Sequence, residues 1–182
     1  MKKIVIGLTG EMGAGKDTLV NYLKEKHDNI ISLRFSTPLT ETLKIFFDEV
    51  KREDQQWLVN NLRERFGQDI LAKAITKKIK SMTEDVVILN GIRVWDEYSM
   101  VKELGGVIVY VTTDAKIRWE RMGERKEKAD DKSTWEEFLK RSQNATELFI
   151  AAIGEKADFK IENNGSLEEF HKKIDELMNK LA

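Results

Sequence analysis

The chain has 182 residues, 41% hydrophobic and 35% charged, which is ample for one domain with a sizeable core. Lys and Arg total 31 against 32 Asp and Glu, a formal net charge of −1, and surfaces that bind duplex backbones are normally basic, so nucleic acid is not an expected partner. The absence of cysteine excludes disulfides, thiol nucleophiles and thiolate metal sites, and the spacing of His27 and His171, the only imidazoles, matches no metal motif.

In chain order, residues 3–8 read as a first strand. This apolar run is too short for a signal peptide, and no apolar stretch approaches the ~20 residues needed to cross a bilayer, so no membrane partner and a cytoplasmic location are expected. Further β-rich runs lie at 30–35, 85–89, 107–111 and 158–161, and those around Val86–Leu89 and Val107–Val111 are apolar throughout, as central strands of a parallel sheet should be. Helical patterns separate them. Leu19, Val20 and Leu23 form a short stripe after strand one, and Thr37 and Pro38 suit the cap and first turn of a helix after strand two. Residues 37–82 make a long helical excursion broken near Gly67, and residues 123–133 form a charged hinge with little apolar content. Trp135, Phe138, Leu139, Phe149 and Ile153 then recur at helical spacing. Ser166 and Glu169 form a capping box for the last helix, whose buried face is expected to be Leu167, Phe170, Ile174, Leu177, Met178 and Leu181. Strands alternating with helices predict an α/β fold, as one domain over residues 1–182.

The chemistry is announced by Gly10, Glu11, Met12, Gly13, Ala14, Gly15, Lys16, Asp17 and Thr18, a match to G-x-x-x-x-G-K placed between a strand and a helix. Glycines let successive backbone amides turn inward around an anion, and the helix N-terminus adds its positive end. Lys16 is expected at the outer phosphates of a bound ATP and Thr18 at an inner one. Asp17 replaces the Ser or Thr that usually faces Mg²⁺. A carboxylate can still serve this oxygen-seeking ion, while a helix-start carboxylate favoured by the dipole is the other reading.

With that loop, Phe35-Ser36-Thr37-Pro38-Leu39, Arg63 to Gly67, Gly91-Ile92-Arg93 with Glu97, Leu104-Gly105-Gly106 and the Asn164–Glu169 ending, the chain resembles P-loop small-molecule kinases. It is most similar to the phage-type deoxynucleoside monophosphate kinases and their dephospho-CoA-kinase-like relatives. The resemblance implies a three-layer P-loop NTPase kinase fold: a five-stranded parallel sheet, a helical acceptor-binding region at about 37–82 and a small arginine-bearing lid at about 118–133. It implies ATP and Mg²⁺ as cofactors, with Gly10–Thr18 holding the donor and Arg93 helping to bind the acceptor. One departure is Asn90, which stands at the end of strand three where such relatives commonly carry an aspartate.

The acceptor can be argued from charge. A hydroxyl acceptor benefits from a carboxylate base, which dephospho-CoA kinases place just after strand two, yet Arg34-Phe35-Ser36-Thr37-Pro38 contains no acid. An acceptor phosphate needs guanidinium groups instead, and Arg34, Arg63 and Arg93, with Phe35 beside them, are the candidate substrate-binding residues. Exposed strand for Arg34 and helix surface for Arg63 are the competing readings. Trp57, Trp95, Phe46 and Phe47 could stack on a base or belong to the core. In the lid, Arg118, Arg121 and Arg125 share roughly one helix face; Arg121 and Arg125 are the candidates to join Lys16 in catalysis, and pairing with Glu120 and Glu124 is the alternative. The reading is Mg²⁺-dependent transfer of the ATP γ-phosphoryl group to a nucleoside or deoxynucleoside monophosphate, by a monomer or homodimer. The alternatives are a kinase for a hydroxyl of dephospho-CoA or a similar metabolite, and an ATP-binding sensor with little turnover.

Overall fold

Each short β-branched run pairs in parallel with runs distant in sequence, and each intervening amphipathic segment returns the chain across the sheet as a helix. The computed structural model describes residues 3–125 and 133–181. The elements are β1 (Ile4–Thr9), α1 (Lys16–Lys26), β2 (Ile30–Leu33), α2 (Thr37–Lys44), α3 (Arg52–Phe66), α4 (Ile70–Ser81), β3 (Val86–Asn90), α5 (Trp95–Glu103), β4 (Val107–Thr112), α6 (Ala115–Arg125), α7 (Trp135–Ser142), α8 (Ala145–Glu155), β5 (Phe159–Glu162) and α9 (Leu167–Leu181).

The five strands form one parallel sheet in the order β2-β3-β1-β4-β5. β1 is central, with Ile6 opposite both Ile88 of β3 and Val107 of β4. Alternate side chains of a strand point to opposite faces, and the core divides accordingly. Ile6, Ile88 and Val109 join Leu19 and Leu23 of α1 and Phe170 and Ile174 of α9 on one side. Val5, Val87 and Ile108 join Ile75 of α4, Val101 of α5 and Ile153 of α8 on the other. Burying a Leu or Ile side chain of this kind stabilises by about 2 kcal/mol, so the helices are held mainly by these two layers. Sandwiched between them, β3 is buried along its whole length, which is why Val86-Val87-Ile88-Leu89 shows no alternation in sequence. After β3 the chain crosses β1 to form β4, so the carboxyl ends of β1, β3 and β4 border the crevice where such sheets bind ligands.

Several expectations change at this level. The periodicity through Trp135–Ile153 is carried by two helices, because the Asn144 side chain accepts the Glu147 amide and caps a new helix. Leu139 and Phe149 of that stripe are exposed, as is Leu167 at the start of α9. β2 ends at Leu33, leaving Arg34 and Phe35 in the turn that follows. Thr37 is the first residue of α2 rather than its cap; its hydroxyl accepts the Arg34 amide at 2.8 Å and closes that turn. The helical excursion resolves into α2, α3 and α4, and α3 stops at Gly67, whose φ of +98° breaks the helix. Within the stretch expected as a lid, α6 runs to Arg125, and residues 126–132 lie outside the described residues. Among the described residues no helix is long and apolar enough to cross a membrane.

Candidate active site at the phosphate loop

Residues 10–15 carry the chain from the end of β1 to the start of α1. Gly10 lies against the backbone of Val111, where a Cβ would collide with the carbonyl oxygen. Gly15 caps α1 at φ +105°, a left-handed conformation that costs other residues about 1–2 kcal/mol, and a Cβ there would strike the Asn163 amide group. No side chain caps α1, so its first amides face a cleft of about 430 Å³ lined in part by Gly13, Gly15, Lys16 and Thr18. Unsatisfied helix-start amides aimed at a cleft are what a phosphate group fits.

The loop's carbonyls are occupied from outside. Lys16 Nζ donates to Gly10 O at 2.6 Å and Glu11 O at 2.9 Å. Arg118 Nη1 donates to Met12 O at 3.2 Å. Asn163 Nδ2 and Thr113 Oγ1 donate to Ala14 O at 2.9 and 3.1 Å. These oxygens are thereby turned away from the cradle; of the loop's amides, that of Ala14 donates to Glu11 O at 3.2 Å. Burial, and next the charge of Arg93, lower the Lys16 pKa from its usual 10.5 to about 8; Asp17, Glu147 and Glu11 act in the opposite direction. Glu11 turns away to β4, where the hydroxyl groups of Tyr110 and Thr112 donate to its Oε1, while its buried Oε2 has no hydrogen-bond partner among the described residues. Burial, and then this bond, push the Tyr110 hydroxyl up to about 12, so it remains a donor.

Asp17 and Asn90 meet. Asn90 Nδ2 donates to Asp17 Oδ1 at 2.8 Å, and Arg34 Nη2 reaches the same oxygen at 3.2 Å. The charge expected at the strand end therefore stands one position beyond the loop lysine, and the strand end supplies an amide that holds it. Asn90 is buried at the end of β3, whereas the Asp17 side chain is 58% exposed. Desolvation thus favours the carboxylate at the loop position. A carboxylate next to the Thr18 hydroxyl is a set of hard oxygen donors, which suits Mg²⁺, an ion that takes one or two protein oxygens and completes its shell with water and phosphate.

Arg63 of α3 and Arg93 of the β3–α5 turn both lie close enough to Glu97 to act on its charge. Glu97 Oε2 accepts the Arg93 backbone amide at 2.7 Å, and burial outweighs the two nearby arginines to raise the Glu97 pKa. The buried Nε of Arg63 has no hydrogen-bond partner among the described residues. Phe35 packs on the core layer beneath. Trp57, Phe46 and Phe47 are well exposed, so the expectation that such aromatics usually belong to the core does not hold for them; Trp95 is partly exposed and meets Tyr98 edge-on.

The arginines of α6 do not act as one face. Arg118 is buried at 7% exposure. Arg121 lines the cleft, donating to Asn163 O at 2.9 Å and Gly165 O at 3.2 Å in the β5–α9 turn, rather than pairing with Glu120 or Glu124. The Arg125 side chain lies outside the described residues. Arg118, Thr113, Asn163, Tyr110 and Glu147 were not identified as site residues from sequence, since each acts through a contact between distant strands or helices. Arg118 lies in the stretch expected as a lid and Asn163 borders the Asn164–Glu169 ending, but neither position announces its bond to the phosphate loop. His171 stacks on Tyr22 at 3.8 Å, a packing role consistent with its place at a helix boundary.

The fold and this loop can be set beside known proteins. A family model described as an AAA domain matches residues 6–148. A UPF0200 protein of Sulfurisphaera tokodaii is 32% identical over 179 residues, covering 97% of both chains, and one of Thermococcus kodakarensis is 30% identical over 188 residues, covering 98% of this chain and all of the relative. Among solved structures, TT1252 from Thermus thermophilus superposes with a TM-score of 0.62 at 19% identity over the whole of both chains. Shikimate kinase from Bacteroides thetaiotaomicron does so at 0.59 and 17% identity over 98% of each. The solved structures share the α/β P-loop kinase fold and leave the ligands to the local geometry. With its glycine loop, parallel sheet and matched residues 6–148 in agreement, the chain belongs to the AAA-domain family AAA_18 and to the UPF0200 proteins.

Proposed function

We propose that the protein transfers the γ-phosphoryl group of ATP to a nucleoside or deoxynucleoside monophosphate. The observation that carries this reading is the pair of arginines around Glu97: Arg63 and Arg93 both act on its carboxyl, and Arg93 also lies near Lys16 of the phosphate loop. Among the described residues the buried Nε of Arg63 has no hydrogen-bond partner, and the charge of Arg93 is close enough to depress the Lys16 pKa. Two guanidinium groups beside the transfer site suit an acceptor that is already anionic. An acceptor phosphate oxygen attacks the γ-phosphorus, the bond from γ-phosphorus to the β–γ bridging oxygen breaks, and the electron pair leaves on ADP. Such a transfer depends on positioning and charge neutralisation more than on proton removal.

In this scheme the loop amides and Lys16 hold the donor phosphates, Arg34, Arg63 and Arg93 with Phe35 hold the acceptor, and Arg121 and Arg125 act from the lid side. Asp17 would hold Mg²⁺, which when bound neutralises the β- and γ-phosphates. Arg34 now rests on Asp17, so its service to the acceptor requires it to exchange that carboxylate for the incoming phosphate. A cytoplasmic location accords with the ATP requirement.

Glu147 favours a second reading. The sequence offered no carboxylate after strand two, yet the fold brings Glu147 of α8 close enough to Lys16 to influence its charge. A carboxylate there could serve as base for a hydroxyl acceptor such as dephospho-CoA. Incubating the protein with ATP, Mg²⁺, each common ribo- and deoxyribonucleoside monophosphate and dephospho-CoA separates the readings. Diphosphate formation supports the first and CoA formation the second. ATP binding with transfer to none of them refutes both and favours a nucleotide sensor.

A further inference from the structure

Arg118 is a buried cation with an unusual set of partners. Its Nε donates to Thr113 O at 2.9 Å and its Nη1 to Met12 O at 3.2 Å, and its guanidinium carbon lies 5.3 Å from the ring centroid of Phe138 on α7. Among the described residues, none of the ion pairs found includes it. Burying a guanidinium against main-chain carbonyls and an aromatic face carries a desolvation penalty that only well-satisfied geometry offsets, and a leucine or methionine would fill the same space without it. Among the described residues, its contact reaches the phosphate loop at a carbonyl to which no other side chain donates. Lys16 holds the carbonyls of residues 10 and 11, Asn163 and Thr113 hold that of residue 14, and Arg118 holds that of residue 12. The same turn of α6 packs directly on the loop, since a Cβ at Gly13 would lie 3.2 Å from both Arg118 O and the Met122 side chain. On its far side Phe138, which is fully buried, stacks on Trp135, and Trp135 meets Trp119 edge-on. The aromatic cluster thus locks α6 to α7, with Arg118 between that cluster and the loop.

We propose that Arg118 is a positioning residue of the donor site: it holds the Met12 carbonyl outside the phosphate loop and, through Phe138, makes the loop's shape depend on the packing of α6 against α7. Its ligand class is the polyphosphate of a nucleotide, so the inference rests on the donor-site reading and on nothing about the acceptor. If Met12 O swings inward, an oxygen replaces amide hydrogens in the cradle and repels the phosphates. The lid helices thereby gain a direct mechanical connection to the residues that grip the donor.

The test is calorimetric titration of the full chain with ATP, and separately with inorganic tripolyphosphate, in magnesium buffer well below each variant's melting temperature. Arg118→Lys keeps the charge but loses the rigid planar fork whose Nε and Nη1 span the two carbonyls, and both Kd values should rise about tenfold or more, as loss of a charge-assisted bond implies. Phe138→Leu should weaken binding in the native background and add nothing further in the Arg118→Lys background. Arg118→Lys binding as tightly as the native protein, with only a lower melting temperature, overturns the proposal and leaves Arg118 a structural brace. Independent, additive losses in the two variants overturn the link to α7. Failure of the native protein to bind ATP refutes the donor-site reading itself, which is a separate result.

Discussion

Raising the pH from 7 to 9 should remove most of the protein's affinity for ATP, because the cation that grips the outer phosphates loses its proton in the free protein. Burial, and next the charge of Arg93, set the Lys16 pKa at about 8. A bound polyphosphate places several negative charges against the same ammonium and returns it to the range of an ordinary lysine. Lys16 is then about nine-tenths protonated at pH 7 and about one-tenth at pH 9, so ATP binding at pH 9 must first take up a proton. The apparent Kd should rise about tenfold over these two units, or about 1.4 kcal/mol. Calorimetry in two buffers of different ionisation enthalpy should show close to one proton absorbed per ATP at pH 9 and almost none at pH 7. Lys16→Met should bind weakly with no such dependence and serves as the control for titration of ATP itself. Arg93→Gln removes the second cause of the shift and should move the midpoint upward. The same shift bears on stability. The folded pKa lies below the unfolded value of 10.5, so the unfolded chain binds more protons between about pH 8 and 10.5, and Lys16 makes stability rise with pH across that window. Below pH 8 both states are protonated and the cost of burying the charge is present in full. A Kd that stays flat from pH 7 to 9.5, with no proton uptake, would refute the reasoning.

Other changes should read out equally well. Gly15→Ala forces a left-handed residue and a clash with Asn163, and should cost about 2–4 kcal/mol in urea unfolding while abolishing ATP binding; a loss below about 0.5 kcal/mol contradicts the tight approach. Asn90→Asp replaces the amide that donates to Asp17 with a second carboxylate. In metal-free buffer it should lower stability at pH 7 by about 1–3 kcal/mol. One of the two carboxyls should then have a raised pKa, so the deficit should shrink as pH falls towards 4 and a shared proton restores the bond; a deficit unchanged by pH would be evidence against the contact. Arg63→Gln should raise the acceptor KM by at least tenfold and leave the ATP Kd and the melting temperature near native values. Equal loss of donor binding would place Arg63 outside the acceptor site.

The glycine loop was legible in the sequence because its requirements are local: left-handed glycines, a lysine one position later and a strand and helix on either side. The sheet was legible for the same reason, since β-branched runs such as Val86–Leu89 announce burial on both faces without reference to their partners. The α7–α8 break was less visible. Trp135 to Ile153 keep helical spacing across the junction, and the Asn144 cap that ends the phase is a single polar residue among many. Leu167 keeps the periodicity of α9 yet is exposed, because it borders the phosphate-loop cleft while Phe170 of the same turn enters the core.

Residue types alone marked the first loop as a candidate anion cradle and predicted the parallel sheet behind it. Only the folded chain decided how that anion site is made. The oxygens of Met12 and Ala14 are held by Arg118, Thr113 and Asn163, about 100 or more positions away, and Asp17 meets Asn90 across 73 positions. Periodicity reports what a residue does within its own helix or strand. A buried guanidinium or amide is placed by the need to satisfy its donors, and the acceptors that do so come from elements the sequence does not place side by side.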